Sequence, residues 1–150
     1  HTDKYLRTVG MRYGSRLAYR IDADAAVRGV QVPKLVVQPL VENAIKYCTK
    51  ANPPWRIDVT ARLEGDRWYA EVRDNGPGFD EASLRTFEEA AARMDVDGRP
   101  PSLEVNGMGL LNLYVRLKIL YGAKMTFRIE RTPEGGSVVT IGGTQTVGGD

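Results

Sequence analysis

Pro33-Lys34-Leu35-Val36-Val37-Gln38-Pro39-Leu40-Val41-Glu42-Asn43-Ala44-Ile45-Lys46-Tyr47 is the stretch from which the fold is best read. Proline suits a first helical position, because its φ is already set and its missing amide hydrogen is not needed there. A helix is therefore expected from near Pro33 to about Tyr47. At roughly 100° per residue, Val36, Val37, Leu40, Val41 and Ala44 share one face. Gln38, Glu42, Asn43 and Lys46 spread over the opposite arc. An ordinary surface helix would account for Glu42 and Lys46, which are i, i+4 and could pair. It accounts less well for Asn43, a mediocre helix former with no local partner. As chemistry, the amide oxygen suits Mg²⁺, the carboxylate suits a general base or an orienting group, and the lysine suits phosphate.

Outward from this helix, strands and helices follow one another. Ahead of it, Leu6, Val9 and Tyr13 have the 3,4 spacing of a short helix, weakened by Gly10 and Gly14. Leu17, Tyr19 and Ile21 then alternate with Arg16, Ala18 and Arg20, a strand pattern. Behind the helix, Asn52-Pro53-Pro54 is a loop. Trp55, Ile57, Val59, Ala61 and Leu63 fall on one parity, Gly65-Asp66 supplies a turn, and Trp68, Ala70 and Val72 continue on a returning strand.

The stretch from Asp80 to Asn106 is different in kind. It opens with a helix in which Leu84, Phe87, Ala91 and Met94 share a face. It then passes into Asp95-Val96-Asp97-Gly98-Arg99-Pro100-Pro101-Ser102, a flexible composition. Loops this long inside compact domains tend to be functional or disordered. A further helix is expected from Gly109 to Tyr121, with Leu110, Leu113, Leu117 and Leu120 as its stripe and Gly122 at its end. Strands at 125–129 and 137–141 are joined by Pro133-Glu134-Gly135-Gly136. The Gly/Thr-rich stretch from Gly142 to Asp150 reads as a frayed tail. This order of elements implies an α/β (α+β) two-layer sandwich, a mixed sheet covered by helices on one face.

Two more clusters stand apart from ordinary turns. Asp74-Asn75-Gly76-Pro77-Gly78-Phe79 has turn chemistry, but Asp74 falls on the buried parity with Trp68, Ala70 and Val72. A carboxylate there needs a hydrogen-bond donor, because leaving it unpaired is costly. The exocyclic amine of an adenine is one such donor, and the glycines would let backbone approach the base closely. Asn106-Gly107-Met108-Gly109-Leu110-Leu111-Asn112 sits directly before an amphipathic helix. It offers free amide hydrogens and a helix N-terminus to an anion. Arg116 lies i+4 from Asn112 on the polar side, as a solvated cation or as part of a site.

Composition narrows the partners. A net charge of +2 with no basic run does not point to nucleic acid. No stretch approaches the ~20 apolar residues of a membrane span, so direct membrane insertion is not expected. Cys48 is the one cysteine and cannot form an internal disulfide, which fits a reducing compartment. It reads as a small, partly buried hydrophobe. The chain starts at His1, as a fragment of something longer would.

Taken together, Glu42-Asn43-Ala44, Asp74-x-Gly76-x-Gly78 and Gly107-x-Gly109-Leu110 resemble the three ATP-binding boxes of the GHKL (Bergerat-fold) ATPase superfamily. The run Val32-Pro33 through Gln38-Pro39-Leu40-Val41-Glu42-Asn43-Ala44-Ile45-Lys46 resembles the LytS/YehU-like sensor histidine kinases. So do Arg12-Tyr13-Gly14 and the path from Gly107 through Arg116-Leu117 to Tyr121-Gly122. Any one box is a weak signal; the three in order, across about residues 5 to 142, are a strong one.

The resemblance implies an ATP-binding catalytic domain that passes the γ-phosphoryl group to a histidine on a dimerisation segment this chain lacks. A response regulator would be reached through the full-length protein. The domain would be cytoplasmic, on a membrane-anchored kinase. It implies that Asp74 binds the adenine amine, with Gly78 beside the base, Gly76 among the nucleotide-binding residues and Ser137 near the adenine, where relatives often carry threonine. Asn43 would hold Mg²⁺ and Glu42 would orient or deprotonate the acceptor histidine. Lys46, Gly107, Gly109, Leu110 and Arg116 would complete the nucleotide site. Residues 1–15 would end a helical linker, 16–143 would form the ATPase domain with an ATP lid at about 80–106, and 144–150 would be a tail. Tyr47-Cys48 departs from the family's His-Gly. A non-catalytic nucleotide switch, an anti-sigma-factor-type serine kinase and a gyrase-type ATPase stay open as alternatives.

Overall fold

The computed structural model describes residues 2–23, 37–97 and 109–144, with side chains placed for 6–23, 37–94 and 109–144. Five strands form one sheet: β1 (Leu17–Ala23), β2 (Trp55–Glu64), β3 (Arg67–Asp74), β4 (Thr126–Arg131) and β5 (Ser137–Thr144). Their spatial order is β1-β2-β3-β5-β4. β1 and β2 run parallel, and every other pair is antiparallel. A parallel pair needs a crossover, and the segment carrying α2 (Val37–Cys48) makes it. The other helices are α1 (Thr2–Tyr13), α3 (Glu81–Asp97) and α4 (Gly109–Tyr121). The expected mixed sheet is present.

Strand alternation decides which face the helices cover. The inner parity carries Ile57, Val59, Trp68, Ala70, Val72, Val139 and Ile141, which join Leu6, Leu40, Val41, Leu113 and Leu117 in one core. The outer parity puts Arg20, Asp58 and Arg73 side by side in register. Such a row is stable in water and gives a second helical layer nothing apolar to cover. On α2 the expected apolar face is buried at Leu40, Val41 and Ala44, with Ile45 and Cys48 added. Residues 33–36, where that helix was expected to begin, lie outside the described residues.

Four departures from the sequence reading have physical causes. β5 continues through Gly142 and Gly143 instead of fraying. A β-carbon at Gly142 would stand 2.6 Å from the Trp68 carbonyl oxygen, and one at Gly143 would stand 2.8 Å from the Tyr121 ring. These glycines make room for neighbours rather than ending the strand. α3 is longer than expected and runs through Asp95-Val96-Asp97, reaching Gly98 before any helix breaker. Its start is capped by Asp80, which accepts the Ala82 amide hydrogen at 3.3 Å and the Ser83 hydroxyl hydrogen at 3.1 Å.

α4 is buried beyond its expected stripe, because Tyr114 and Val115 meet Ala91 and Met94 of α3 in a second small core. Phe87, Tyr114 and Phe127 pack there as an aromatic trio. Finally, α1 runs unbroken through Gly10, which was expected to weaken it, and it packs on the core. Leu6 is wholly buried, and the Tyr13 ring meets the Trp55 ring edge-on at 5.3 Å.

Candidate functional site

The site begins where β3 ends. Asp74 lies on the inner parity and is 5% exposed; across the ladder its partner is Ser137 of β5, at 2%. Asp74 Oδ1 accepts the Gly76 amide hydrogen at 2.9 Å. The Ser137 Oγ is buried with no hydrogen-bond partner. Burial pushes the Asp74 carboxyl above the ordinary carboxylate range, and the Gly76 and Ser137 amides pull it back only partly. Buried polar atoms are normally paired. A carboxylate and a free hydroxyl side by side on a buried floor form a place for a polar ligand edge.

The loop after Asp74 is fixed by backbone crowding. A β-carbon on Gly76 would lie 2.7 Å from the Cys48 Cα, so the loop and the end of α2 touch main chain to main chain. Gly78 has φ +84°, a left-handed conformation that favours glycine. The Asn75 side chain ties the loop to the start of β2. It accepts the Arg56 amide hydrogen at 2.7 Å and donates to the Pro54 carbonyl at 3.0 Å. Cys48 is wholly buried, and burial together with the Asp74 charge pushes its thiol up to about 11. It is an inert filler, as its composition reading suggested.

Beside this floor, an open cleft of about 410 Å³ lies between α2, α3 and α4. Asn43, Lys46, Tyr47 and Lys50 form one wall, Phe79, Ser83 and Phe87 another, and Leu110 and Leu111 a third. The Tyr47 and Phe79 rings meet at 5.2 Å, tilted by 43°. The Lys50 ammonium sits 4.5 Å from the Tyr47 ring centre, within cation–π range. Two lysines, Lys46 on the last turn of α2 and Lys50 just past its end, stand next to an aromatic pair and suit a flat ring carrying a polyanion.

The sequence-derived residues distribute unevenly over this geometry. Asn43, Lys46 and Leu110 line the cleft, while Asp74, Gly76 and Ser137 form the floor beside it. Gly78 leads directly into Phe79. Glu42 is exposed, away from the cleft lining, and its Oε1 accepts a hydrogen from Gln38 Nε2 at 3.0 Å rather than pairing with Lys46. Gly109 opens α4 and is exposed; Arg116 is exposed on the same helix and does not line the cleft. Gly107 lies outside the described residues.

The sequence reading missed Tyr47, Lys50, Phe79 and Gln38. Periodicity could have found two of them, since Tyr47 and Lys50 lie four residues on from Asn43 and Lys46.

Among the described residues no group of three or more His, Cys, Asp or Glu side chains could hold a metal alone. Mg²⁺ arriving with a nucleotide asks for less, because phosphates and waters supply most of its ligands. The single amide oxygen of Asn43 on the cleft wall fits that demand.

Residues 30–143 match the family model described as histidine kinase-, DNA gyrase B-, and HSP90-like ATPase. The sensor histidine kinase YesM of Bacillus subtilis is 30% identical over 91% of this chain and 21% of its own length. The sensor protein LytS of Staphylococcus haemolyticus is 34% identical over 91% of this chain and 22% of its own. The chain thus spans about a fifth of the length of these relatives. In shape it is similar to the catalytic domain of histidine kinase ThkA, with a TM-score of 0.65, 14% identity, and coverage of 97% and 91% of the two chains. The histidine kinase domain of Erythrobacter litoralis EL346 gives 0.62 at 16% identity, covering 96% of this chain and 59% of that one.

Proposed function

Because the chain belongs to the histidine kinase-, DNA gyrase B-, and HSP90-like ATPase family, as an ATP-binding catalytic domain of the sensor histidine kinase type, we propose how its residues bind ATP and pass on its γ-phosphoryl group. The observation that carries the reading is the buried pair of Asp74 and the unpartnered Ser137 hydroxyl, next to a cleft walled by Asn43 and two lysines. The adenine edge sits on that pair, its exocyclic amine donating to Asp74. The ring stacks toward Phe79 and Tyr47, and the phosphates run along Lys46 toward the start of α4 at Gly109.

Asn43 would hold Mg²⁺ arriving with the nucleotide, and the ion would supply charge neutralisation for the phosphates. Gln38 holds the Glu42 carboxylate at the exposed rim. Adjacent helix positions are about 100° apart, so Asn43 can face the cleft while Glu42 faces an incoming histidine. In the transfer, an imidazole nitrogen attacks the γ-phosphorus. The P–O bond to ADP breaks as the P–N bond forms, and the imidazole proton passes toward Glu42. Positioning and charge neutralisation carry most of such a reaction.

The acceptor histidine lies on a dimerisation segment of the parent kinase, and the phosphoryl group passes from it to a response regulator. No helix among the described residues is long and apolar enough to cross a membrane. We place the domain on the cytoplasmic side of a membrane-anchored sensor.

The test supplies a separate histidine-bearing segment at saturating ATP. Glu42→Gln should bind ATP as the parent does and transfer about 10²-fold more slowly, the lower end of general-base contributions. Asn43→Ala should weaken Mg²⁺-dependent ATP binding itself. Transfer at the parent rate by Glu42→Gln would remove Glu42 from the transfer step, whereas a parent chain that binds ATP and transfers nothing would be a nucleotide-binding switch without chemistry of its own.

A further inference from the structure

The geometry points to Arg131, at the end of β4, as a positioning residue that sets the shape of the base-binding loop from outside the site; this rests on the nucleotide reading above. The Arg131 guanidinium donates from Nη2 to the Phe79 carbonyl oxygen at 3.1 Å, across 52 residues of sequence. Phe79 is the residue that turns its ring into the cleft against Tyr47. Arg131 thus holds the main chain of a residue whose side chain lines the site, without itself lining that cleft.

The contact belongs to a larger fit between the β4–β5 turn and the loop. A β-carbon on Gly78 would stand 2.6 Å from the Gly135 carbonyl oxygen and 3.1 Å from Arg131 Nε. One on Gly136 would overlap the Asp74 carbonyl oxygen and stand 3.2 Å from the Asn75 Cα. The turn is stiff, because Thr132 closes it three ways. Its amide donates to the Gly136 carbonyl at 2.9 Å, its carbonyl accepts from the Gly135 amide at 2.9 Å, and its hydroxyl accepts from the Gly136 amide at 2.8 Å. Thr132 is itself buried at 8%. The loop at 74–79 therefore rests on a rigid anvil, and Arg131 is the side chain that fastens its far end. Gly78, with its left-handed φ, directly precedes the Phe79 carbonyl that Arg131 holds.

This assigns Arg131 to base recognition and not to phosphate binding, and the experiment separates the two. ATP, GTP and Mg-tripolyphosphate binding are measured for the chain and for Arg131→Ala, with Arg131→Lys as the conservative rescue. Losing one hydrogen bond at a partly solvated position lowers ATP affinity about three- to tenfold. The preference for ATP over GTP should shrink, tripolyphosphate affinity should hold, and Arg131→Lys should recover most of the loss. Arg131→Met, which keeps the aliphatic stem and removes the donor, serves if the alanine variant does not fold. A folded alanine variant with unchanged ATP affinity and unchanged base preference overturns the inference. So does a parallel loss of ATP and tripolyphosphate binding, which would be general loosening. If the parent chain binds tripolyphosphate but neither nucleotide, the base-site reading itself has failed.

Discussion

The floor at Asp74 and the cleft along α2 adjoin, yet they are built by opposite means. The floor is main chain against main chain. Gly76 faces the backbone of Cys48, Gly136 faces the backbone of Asp74, and a stiff turn stands behind both. The cleft is side chain against space, with Lys46 and Tyr47 projecting from α2, and Lys50 from the turn after it, into an open volume. A close-packed interior answers to every added methylene, whereas an exposed surface tolerates most changes. On the proposed ATP-binding arrangement, the base end should therefore be exacting, and the phosphate end adjustable by charge.

The largest effect expected from this contrast is on stability. Gly76→Ala places a carbon 2.7 Å from the Cys48 Cα, and overpacking of that kind typically costs about 1–3 kcal/mol, occasionally more. Gly109→Ala meets nothing within 4 Å and should leave the unfolding free energy from urea titration within about 0.5 kcal/mol of the parent. Equal tolerance at both glycines would erase the distinction between the two regions.

Next comes Asp74→Asn, which separates binding from folding. Loss of a hydrogen bond at a buried partner costs about 1–3 kcal/mol, so ATP affinity by calorimetry should fall roughly tenfold or more. Stability without nucleotide should move the other way. The folded carboxyl titrates above its ordinary value because it is buried. Between those two values the folded chain keeps a proton that the unfolded chain has lost, so stability falls as pH rises through the window and stays lower above it. The asparagine variant should lack that slope and be at least as stable at neutral pH. A parent chain whose stability rises across the same window would show Asp74 to be well paired rather than waiting for a donor.

The smallest effect is at the cleft. Lys50→Ala should weaken ATP binding only a few-fold, since exposed charge pairs are worth about 0.2–1 kcal/mol. The deficit should shrink as salt is added, because the ammonium is exposed and screened. A deficit that salt leaves untouched would place Lys50 in the exacting half instead.

The contrast also explains what the sequence could disclose. Strand parity marked Asp74 as buried because a period of two leaves no other choice. Helical periodicity marked the inner face of α2 for the same reason. What stayed hidden depends on partners distant in the chain. Gly142 and Gly143 read as a tail until Trp68 and Tyr121 are seen to need their space. The second buried side of α4 requires knowing that α3 lies against it. Arg131 looks like any strand-end cation until the Phe79 carbonyl is brought beside it.

One feature of the topology bears on how the domain comes to be able to bind at all. β2–β3 and β4–β5 are local hairpins, but the ladder between β3 and β5 joins them across two helices of intervening chain. Asp74 and Ser137 meet only at that seam. Hairpins close cheaply, while a long-range ladder must first overcome the entropy of loop closure. A chain could hold both hairpins and still have no base floor. On the proposed reading, binding competence is tied to the highest-contact-order joint in the sheet, and nucleotide capture would report completed folding rather than partial order.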